Sequence, residues 1–229
     1  MIHIHTVLVA LLHRKVWKGA EILFVLGLRG LSGITRKPAV RQTLDRKALD
    51  GEILPHFSAD PRYQRVLFVG CDWYTRHYEA MFRDRNYTTL EVDPGRARFG
   101  GRNHVVGDLA SLGKYFPDGS LDLIVCNGVI GWGLDQPAAI ETAMSACVRA
   151  LSPGGALILG WNDIPEKTPV PLDQIAALRE LEPFPAPFLD VVRTKTYNHH
   201  SFKVLRRPLS NGPHEPPFAP GDLALPASS

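Results

Sequence analysis

The chain has 229 residues, of which 45% are hydrophobic and 21% charged, so it is long enough for one domain of ordinary size with additions at its ends. Its formal net charge of +3 is mild, and neither a Lys/Arg block nor aromatic-basic interleaving favours nucleic acid as a partner. The widely spaced Cys71, Cys126 and Cys147 lack the paired spacing of a zinc site or a disulfide framework. We therefore expect buried free thiols, a cytoplasmic protein and no metal site.

Residues 1–58 are predicted to form an N-terminal helical extension. Its apolar stretch TVLVALLHRKVWKGAEILFVLGLRGLSG is interrupted by basic residues, so no uninterrupted run reaches the roughly 18 to 20 residues that cross a bilayer. Two interpretations remain, namely helices that pack on the core and an amphipathic segment that lies on a membrane surface. A peripheral membrane contact and a homodimer contact through this segment are therefore both left open.

From residue 65 onward, strand-like and helix-like segments alternate. The strand-like segments are RVLFVG, TTLEVD, HVVGD, LDLIVCNGVI, GALILGW and, near the end, YNHHSFKVLRR. The helix-like segments are TRHYEAMFRD, QPAAIETAMSACVRAL and a short one around Asp173 to Leu181. This alternation predicts parallel strands joined by crossover helices, hence a doubly wound α/β sheet with helices on both faces. Ligands of such sheets bind at the carboxyl ends of the strands.

The same pattern predicts the domain boundaries. A core domain is expected at residues 59–207, after the extension. Residues 208–229 are rich in Pro and small side chains and lack periodic apolar positions, so a flexible tail is expected there.

At its strand ends the chain resembles the class I S-adenosylmethionine-dependent methyltransferases, over roughly Arg65 to Arg207. The segments that carry the resemblance are VLFVGC, LEVDP, VVGDL, LDLIVCNGVIGW and RALSPGGALILGW, in family-like order and spacing. The resemblance implies a mostly parallel, seven-stranded, Rossmann-like sheet and S-adenosylmethionine as cofactor. It also implies O- or N-methylation of a small-molecule acceptor or of one linked to lipid or glycan.

The resemblance further implies how the cofactor is bound after the second and third strands. Glu91 would accept hydrogen bonds from both ribose hydroxyls, and it is favoured over Asp93 because the first acid of the family's acid-x-acid-Pro pattern usually holds the ribose. A solvated loop residue is the alternative for either acid. Asp108 would accept a hydrogen bond from the adenine amine, while the Leu109 backbone reads the ring edge. The alternative for Asp108 is an N-cap of the helix that follows.

The turn after the first strand departs from the family pattern. The family usually has an acid before the first glycine and two more glycines after it, whereas this chain has Phe68 before Gly70 and larger residues beyond. Asp72 could replace the missing acid as the partner of the cofactor's amino group. Trp73 and Tyr74 could wall the cofactor, fill its pocket or pack under the N-terminal extension. This departure makes a catalytically inactive methyltransferase-like scaffold the alternative function.

The acceptor side is expected after the fourth and later strands. Asn127 and Gly128 follow the fourth strand, where the family lines the methionine end of the cofactor, although a buried structural asparagine fits equally well. His199 and His200 are candidates for a general base, because an imidazole titrates near neutrality. Adjacent strand residues point to opposite faces, so at most one of the two can face a given pocket. Solvent-exposed positions at the strand entry are the alternative.

Overall fold

The computed structural model describes residues 44–186, 191–193 and 199–209. The membrane-surface and homodimer expectations for residues 1–43, and the expected tail beyond residue 209, lie outside the described residues. The helices are α1 at Leu44–Ala48, a π-helical segment at Leu49–Ile53, α2 at Leu54–Ala59, α3 at Tyr78–Met81 and α4 at Pro137–Ala150. Short 3₁₀ helices lie at Pro94–Phe99, Leu109–Lys114, Leu172–Gln174 and Ala176–Glu180.

One sheet of eight strands organises the described part of the chain. The strands are β1 Arg65–Val69, β2 Asn86–Glu91, β3 Asn103–Val106, β4 Leu121–Asn127, β5 Leu151–Asn162, β6 Glu182–Pro183, β7 Val191–Arg193 and β8 His200–Arg206. Their order is β3-β2-β1-β4-β5-β8-β6, with β7 paired to β8. Strands β1 to β5 are parallel, and β8 runs antiparallel to β5. The predicted doubly wound, mostly parallel sheet is confirmed.

Both faces of the sheet bury apolar side chains. Leu157 and Leu159 of β5 pack on the face that α4 covers, whereas Ile158 between them belongs to the cluster on the opposite face. That second cluster includes Phe68 of β1 and Phe57 of α2. The helices at residues 44–59 therefore complete one face of the core, which agrees, for these residues, with the first of the two interpretations of the N-terminal extension.

Two predicted helices are shorter in the structure. The segment TRHYEAMFRD is helical only over Tyr78–Met81, because its first residues form successive turns in which Thr75 N donates to Asp72 O and Tyr78 N donates to Thr75 O. The segment predicted around residues 173–181 consists of two 3₁₀ helices. Extended backbone at Ile175, with φ −76° and ψ 108°, separates them.

The three cysteines are free and buried, as predicted. Burial raises the pKa of Cys71 to about 11 and that of Cys126 to about 12, so both remain protonated thiols near neutral pH. Across the ranges that the structure describes, no helix is long and apolar enough to cross a bilayer. No cluster of three metal-ligating side chains occurs in those ranges either.

Candidate functional site

A cavity of about 320 Å³ opens at the carboxyl ends of β1 to β4. The parallel register aligns Val69 with Leu90 and Glu91 with Val106, so the loops that follow these strands meet at one end of the sheet. The cavity is lined in part by Gly70, Glu91, Asp93, Asp108, Leu109 and Gly128. The structure thus brings together five of the residues predicted to bind cofactor, from Gly70 to Leu109.

Glu91 is the buried acid of this cavity, with 7% of its surface exposed. Its Oε2 accepts a hydrogen bond from Cys71 N at 2.7 Å, and its Oε1 accepts one from Asp93 N at 3.0 Å. These two bonds tie the turn after β1 to the turn after β2. Each carboxylate oxygen has room for a second hydrogen bond, so the group can still accept donors from the cavity.

An arginine that the sequence analysis did not single out also lines the cavity. Arg96 lies in the 3₁₀ helix after β2, with Nη1 3.6 Å from Asp72 Oδ2 and Nε 3.6 Å from Asp93 Oδ2. Asp93 also caps this helix, because its Oδ1 accepts a hydrogen bond from Gly95 N at 2.8 Å. The spacing of Asp93 and Arg96 by three residues was the available sequence signal. Asp72 does not line the cavity, but it forms an ion pair with Arg96, which does.

The turn after β1 leaves the space beside Gly70 open. Gly70 has φ +87°, and the nearest side-chain atom to a Cβ built there is Val129 Cγ2, at 3.5 Å. Within the described residues, neither Trp73 nor Tyr74 lines the cavity. Tyr74 instead lies under Arg46 of α1, whose guanidinium carbon is 4.5 Å from the ring centroid. Of the three interpretations of this aromatic pair, packing under the N-terminal helices is the one observed for Tyr74.

Asp108 has the N-cap role that the sequence left open. Its Oδ1 accepts a hydrogen bond from Ala110 N at 3.1 Å, at the start of the 3₁₀ helix Leu109–Lys114. The Asp108 side chain is exposed at the cavity, whereas Leu109 is buried in the core. The N-cap uses only one carboxylate oxygen, so contact with an adenine amine remains a prediction.

Asn127 directs its side chain away from the cavity into a buried polar network. His200 Nε2 lies 2.9 Å from Asn127 Oδ1, and His200 Nδ1 lies 3.3 Å from Asn162 Nδ2. Asn162 Oδ1 in turn accepts a hydrogen bond from Trp132 Nε1 at 2.6 Å. Burial lowers the pKa of His200 to about 4, so the imidazole is neutral at physiological pH. Sequence reasoning missed Asn162 and Trp132.

His199 and His200 differ in burial, although only His200 belongs to a strand. His200 is buried at the start of β8, whereas His199 is exposed and has φ +45°. The carbonyl of His199 accepts a hydrogen bond from Asp163 N at 3.0 Å. Neither imidazole lines the cavity. A catalytic role for either histidine remains a prediction.

Comparison with known protein families found a match to part of the chain. Residues 67–159 match the family model described as "Methyltransferase domain". This match runs from within β1 to within β5 and includes the strand ends that line the cavity. The resemblance to the class I S-adenosylmethionine-dependent methyltransferases is therefore confirmed. The sequence has no significant match among proteins of curated function.

Solved structures share this fold at low sequence identity. The N-methyltransferase NodS from Bradyrhizobium japonicum, in complex with S-adenosyl-L-homocysteine, has a TM-score of 0.56 and 18% identity, covering 73% of this chain and 89% of its own. A TehB-like methyltransferase from Corynebacterium glutamicum has a TM-score of 0.55 and 16% identity, covering 83% and 99%. The [4+2]-cyclase SpnF has a TM-score of 0.52 and 15% identity, covering 76% and 82%. One fold thus carries different chemistries, and the assignment of function depends on the site.

Proposed function

We propose that the protein is a methyltransferase that binds S-adenosylmethionine in the cavity at the carboxyl ends of β1 to β4 and methylates a small-molecule acceptor on oxygen or nitrogen. The observation that carries the proposal is the buried Glu91 carboxylate, held by two backbone amides beside the open space at Gly70. A site for a ribose needs an oriented acceptor pair, and this carboxylate provides it. The binding of S-adenosyl-L-homocysteine by NodS supports the choice of cofactor.

The five predicted cofactor-binding residues that line the cavity each have a role in this proposal. Glu91 accepts hydrogen bonds from the ribose hydroxyls, and Asp93 is the second candidate for that role. Asp108 uses its free carboxylate oxygen for the adenine amine, with the Leu109 backbone at the ring edge. Gly70 leaves room for the methionine portion because it has no side chain. Its positive φ favours glycine at this position, since any other residue would be strained there.

Three further residues are proposed to act at the methionine end. Gly128 lines the cavity directly after Asn127, and we propose that the backbone at these two positions faces the methionine end, whereas the Asn127 side chain contacts His200. Asp72 lies in the turn after β1, and its Oδ2 is 3.6 Å from Nη1 of Arg96, which lines the cavity. We propose that it takes the place of the missing acid at position 68, through direct contact or through water.

When bound, S-adenosylmethionine would supply an electrophilic methyl group for transfer from its sulfonium sulfur to an acceptor oxygen or nitrogen, with S-adenosylhomocysteine as the leaving group. The chain's main task is then to position the acceptor and exclude water. An acceptor hydroxyl must also lose a proton. His199 and His200 are the proposed bases, and His200 would have to exchange its bond with Asn127 or Asn162 to act.

Binding measurements test this proposal directly. Isothermal titration calorimetry should detect S-adenosylhomocysteine and S-adenosylmethionine with a dissociation constant on the order of micromolar. Adenosine should bind more weakly, because it lacks the methionine portion. The absence of heat for both cofactor forms, confirmed by a thermal-shift measurement, would contradict the proposal and favour a non-catalytic scaffold.

The acceptor's location is a separate part of the proposal. We expect a diffusible cytoplasmic acceptor, in keeping with three free thiols. Flotation of the full-length chain with anionic vesicles, with release by salt, tests the alternative of a membrane-associated acceptor. Flotation would replace the diffusible acceptor with one at the lipid surface.

A further inference from the structure

The loop after β4 is built to expose a tryptophan at the cavity. Trp132 lines the cavity and is 59% exposed, although large aromatic side chains are usually much more buried. Gly128, Gly131 and Gly133 have φ values of +66°, +77° and +127°, and an isolated bridge between Ile130 and Leu134 closes the loop. Left-handed backbone at three positions in six residues indicates a specified loop conformation.

The indole is held in place from the side of β5. Its Nε1 donates to Asn162 Oδ1 at 2.6 Å, and its backbone N donates to Val129 O at 3.0 Å. Asn162 is 2% exposed and itself contacts His200. An exposed ring that is fixed by a buried partner loses little conformational freedom when a ligand stacks on it.

One face of this ring carries a lysine. Lys167, from the loop after β5, places Nζ 3.9 Å from the centroid of the Trp132 ring and donates to Gly131 O at 2.8 Å. A Cβ added at Gly131 would overlap with the backbone carbonyl of Lys167, so the two loops are in close backbone contact. In the described ranges, no carboxylate lies within 4.0 Å of the Lys167 ammonium. Its positive charge therefore lacks a direct counterion among the residues that the structure describes.

A second cavity is lined by residues that flank Lys167 in the chain. It has a volume of about 470 Å³, and its lining includes Ile164, Pro165 and Thr168 next to Lys167, the lysine Lys203, and the two acids Asp163 and Asp173. Trp132 belongs to the wall of the first cavity, and the neighbours of Lys167 belong to the wall of the second. The contact between Trp132 and Lys167 therefore joins a wall residue of the first cavity to the loop that lines the second.

We propose that Trp132 and Lys167 form the acceptor subsite, and that they select a planar acceptor that carries a negative charge. This inference rests on the proposed methyltransferase function. The indole supplies a fixed face for stacking, and the ammonium supplies the counterion for a carboxylate or phenolate. The chemical class follows from these two groups together, because stacking alone would also accept neutral rings.

Two matched probes test the subsite. Binding of 4-hydroxybenzoate and of the uncharged 4-hydroxybenzamide is measured by saturation-transfer NMR titration, with and without saturating S-adenosylhomocysteine. The wild-type protein should bind the anion about fivefold more tightly than the amide, the range of one partly exposed ion pair. In Lys167→Met this preference should disappear. In Trp132→Leu both probes should bind at least about fivefold more weakly.

Lys114→Met is the matched control, since Lys114 is exposed and lines neither cavity. It should keep the wild-type preference and so exclude a general effect of net charge. Equal binding of the two probes, a preference that survives in Lys167→Met, or no binding of either probe would overturn the inference.

Cofactor binding by the same variants separates the two proposals. Calorimetry with S-adenosylhomocysteine should give the same affinity, within about twofold, for wild type and Lys167→Met. A large loss in Lys167→Met would assign this lysine to the cofactor's carboxylate and overturn its assignment to the acceptor. If wild type does not bind S-adenosylhomocysteine, the proposed function fails and this inference fails with it. If wild type binds it but does not discriminate between the probes, only this inference fails.

Discussion

His200 Nε2 lies 2.9 Å from Asn127 Oδ1 and thereby joins the start of β8 to the end of β4 across β5. An amide oxygen can only accept, so Nε2 carries the proton and Nδ1 accepts from the Asn162 amide at 3.3 Å. The pair crosses over Gly160, where a Cβ would overlap with Asn127 Oδ1. The network thus fixes the carboxyl ends of the strands beside the cavity.

The buried imidazole predicts a pH dependence of stability. The pKa of His200 is lowered from 6.5 to about 4 by burial, so the unfolded state binds the proton more readily than the folded state. The contribution of the neutral His200 imidazole to the free energy of unfolding is complete above pH 6.5. It is lost as the pH falls from 6.5 towards 4. Between pH 7 and pH 5, the free energy of unfolding should fall by about 2 kcal/mol from this group.

Urea denaturation at the two pH values measures this effect. His200→Gln should remove the corresponding part of the pH dependence. The exposed neighbour provides the control, because His199→Asn should keep it. An unchanged pH dependence in His200→Gln would show that His200 is not the group responsible.

Gly160→Ala should disrupt the network by overpacking. The new methyl group would overlap with Asn127 Oδ1 and would lie 2.9 Å from Phe202 Cε1. We expect a loss of about 1 to 3 kcal/mol in the free energy of unfolding. Gly113→Ala is the control, since a Cβ there has no neighbour within 4 Å, and it should change stability by less than about 1 kcal/mol. Equal effects of the two substitutions in chemical denaturation would contradict the packing account.

Substitution of Glu91 should weaken cofactor binding. Glu91→Ala removes the proposed bidentate contact with the ribose, which corresponds to about 1.5 to 3 kcal/mol in the binding of S-adenosylhomocysteine. It also leaves Cys71 N and Asp93 N without their acceptor, so thermal stability should fall as well. Calorimetry on Glu91→Gln separates these effects, because the amide keeps the size of the side chain. Asp84→Ala is the control, because Asp84 is an exposed acid that does not line the cavity, and this variant should bind S-adenosylhomocysteine with wild-type affinity. Unchanged affinity in folded Glu91 variants would contradict the assignment of Glu91 to the ribose.

The irregular turn after Gly70 gives a paired prediction. Asp72→Ala should weaken binding of S-adenosylhomocysteine by about 1 to 3 kcal/mol, if this acid replaces the one missing at position 68. Tyr74→Gly should leave that affinity unchanged and should lower stability, because the ring packs under Arg46 and does not line the cavity. Improved binding in Tyr74→Gly, measured by calorimetry, would instead indicate that Tyr74 obstructs the site.

The sequence alone determined the order of strands and helices along the chain and the kind of sheet that the strands form. The parallel strands are short apolar runs that recur with helical segments between them, and this local pattern survives in any tertiary context. Gly70, Glu91 and Asp108 could be placed at one edge for the same reason, because each directly follows or closes a strand. The helix at α4 was predictable from its periodicity and from Pro137 in its first turn.

Only the tertiary structure decided which side chains meet across the sheet. His200, Asn127, Asn162 and Trp132 come from four separate places in the chain, and their hydrogen bonds depend on β8 lying next to β5 and on the absence of a side chain at Gly160. The same holds for Lys167, whose position over Trp132 requires the close approach of two loops. Sequence spacing carries no information about such contacts, because packing between distant segments, rather than local preference, fixes them.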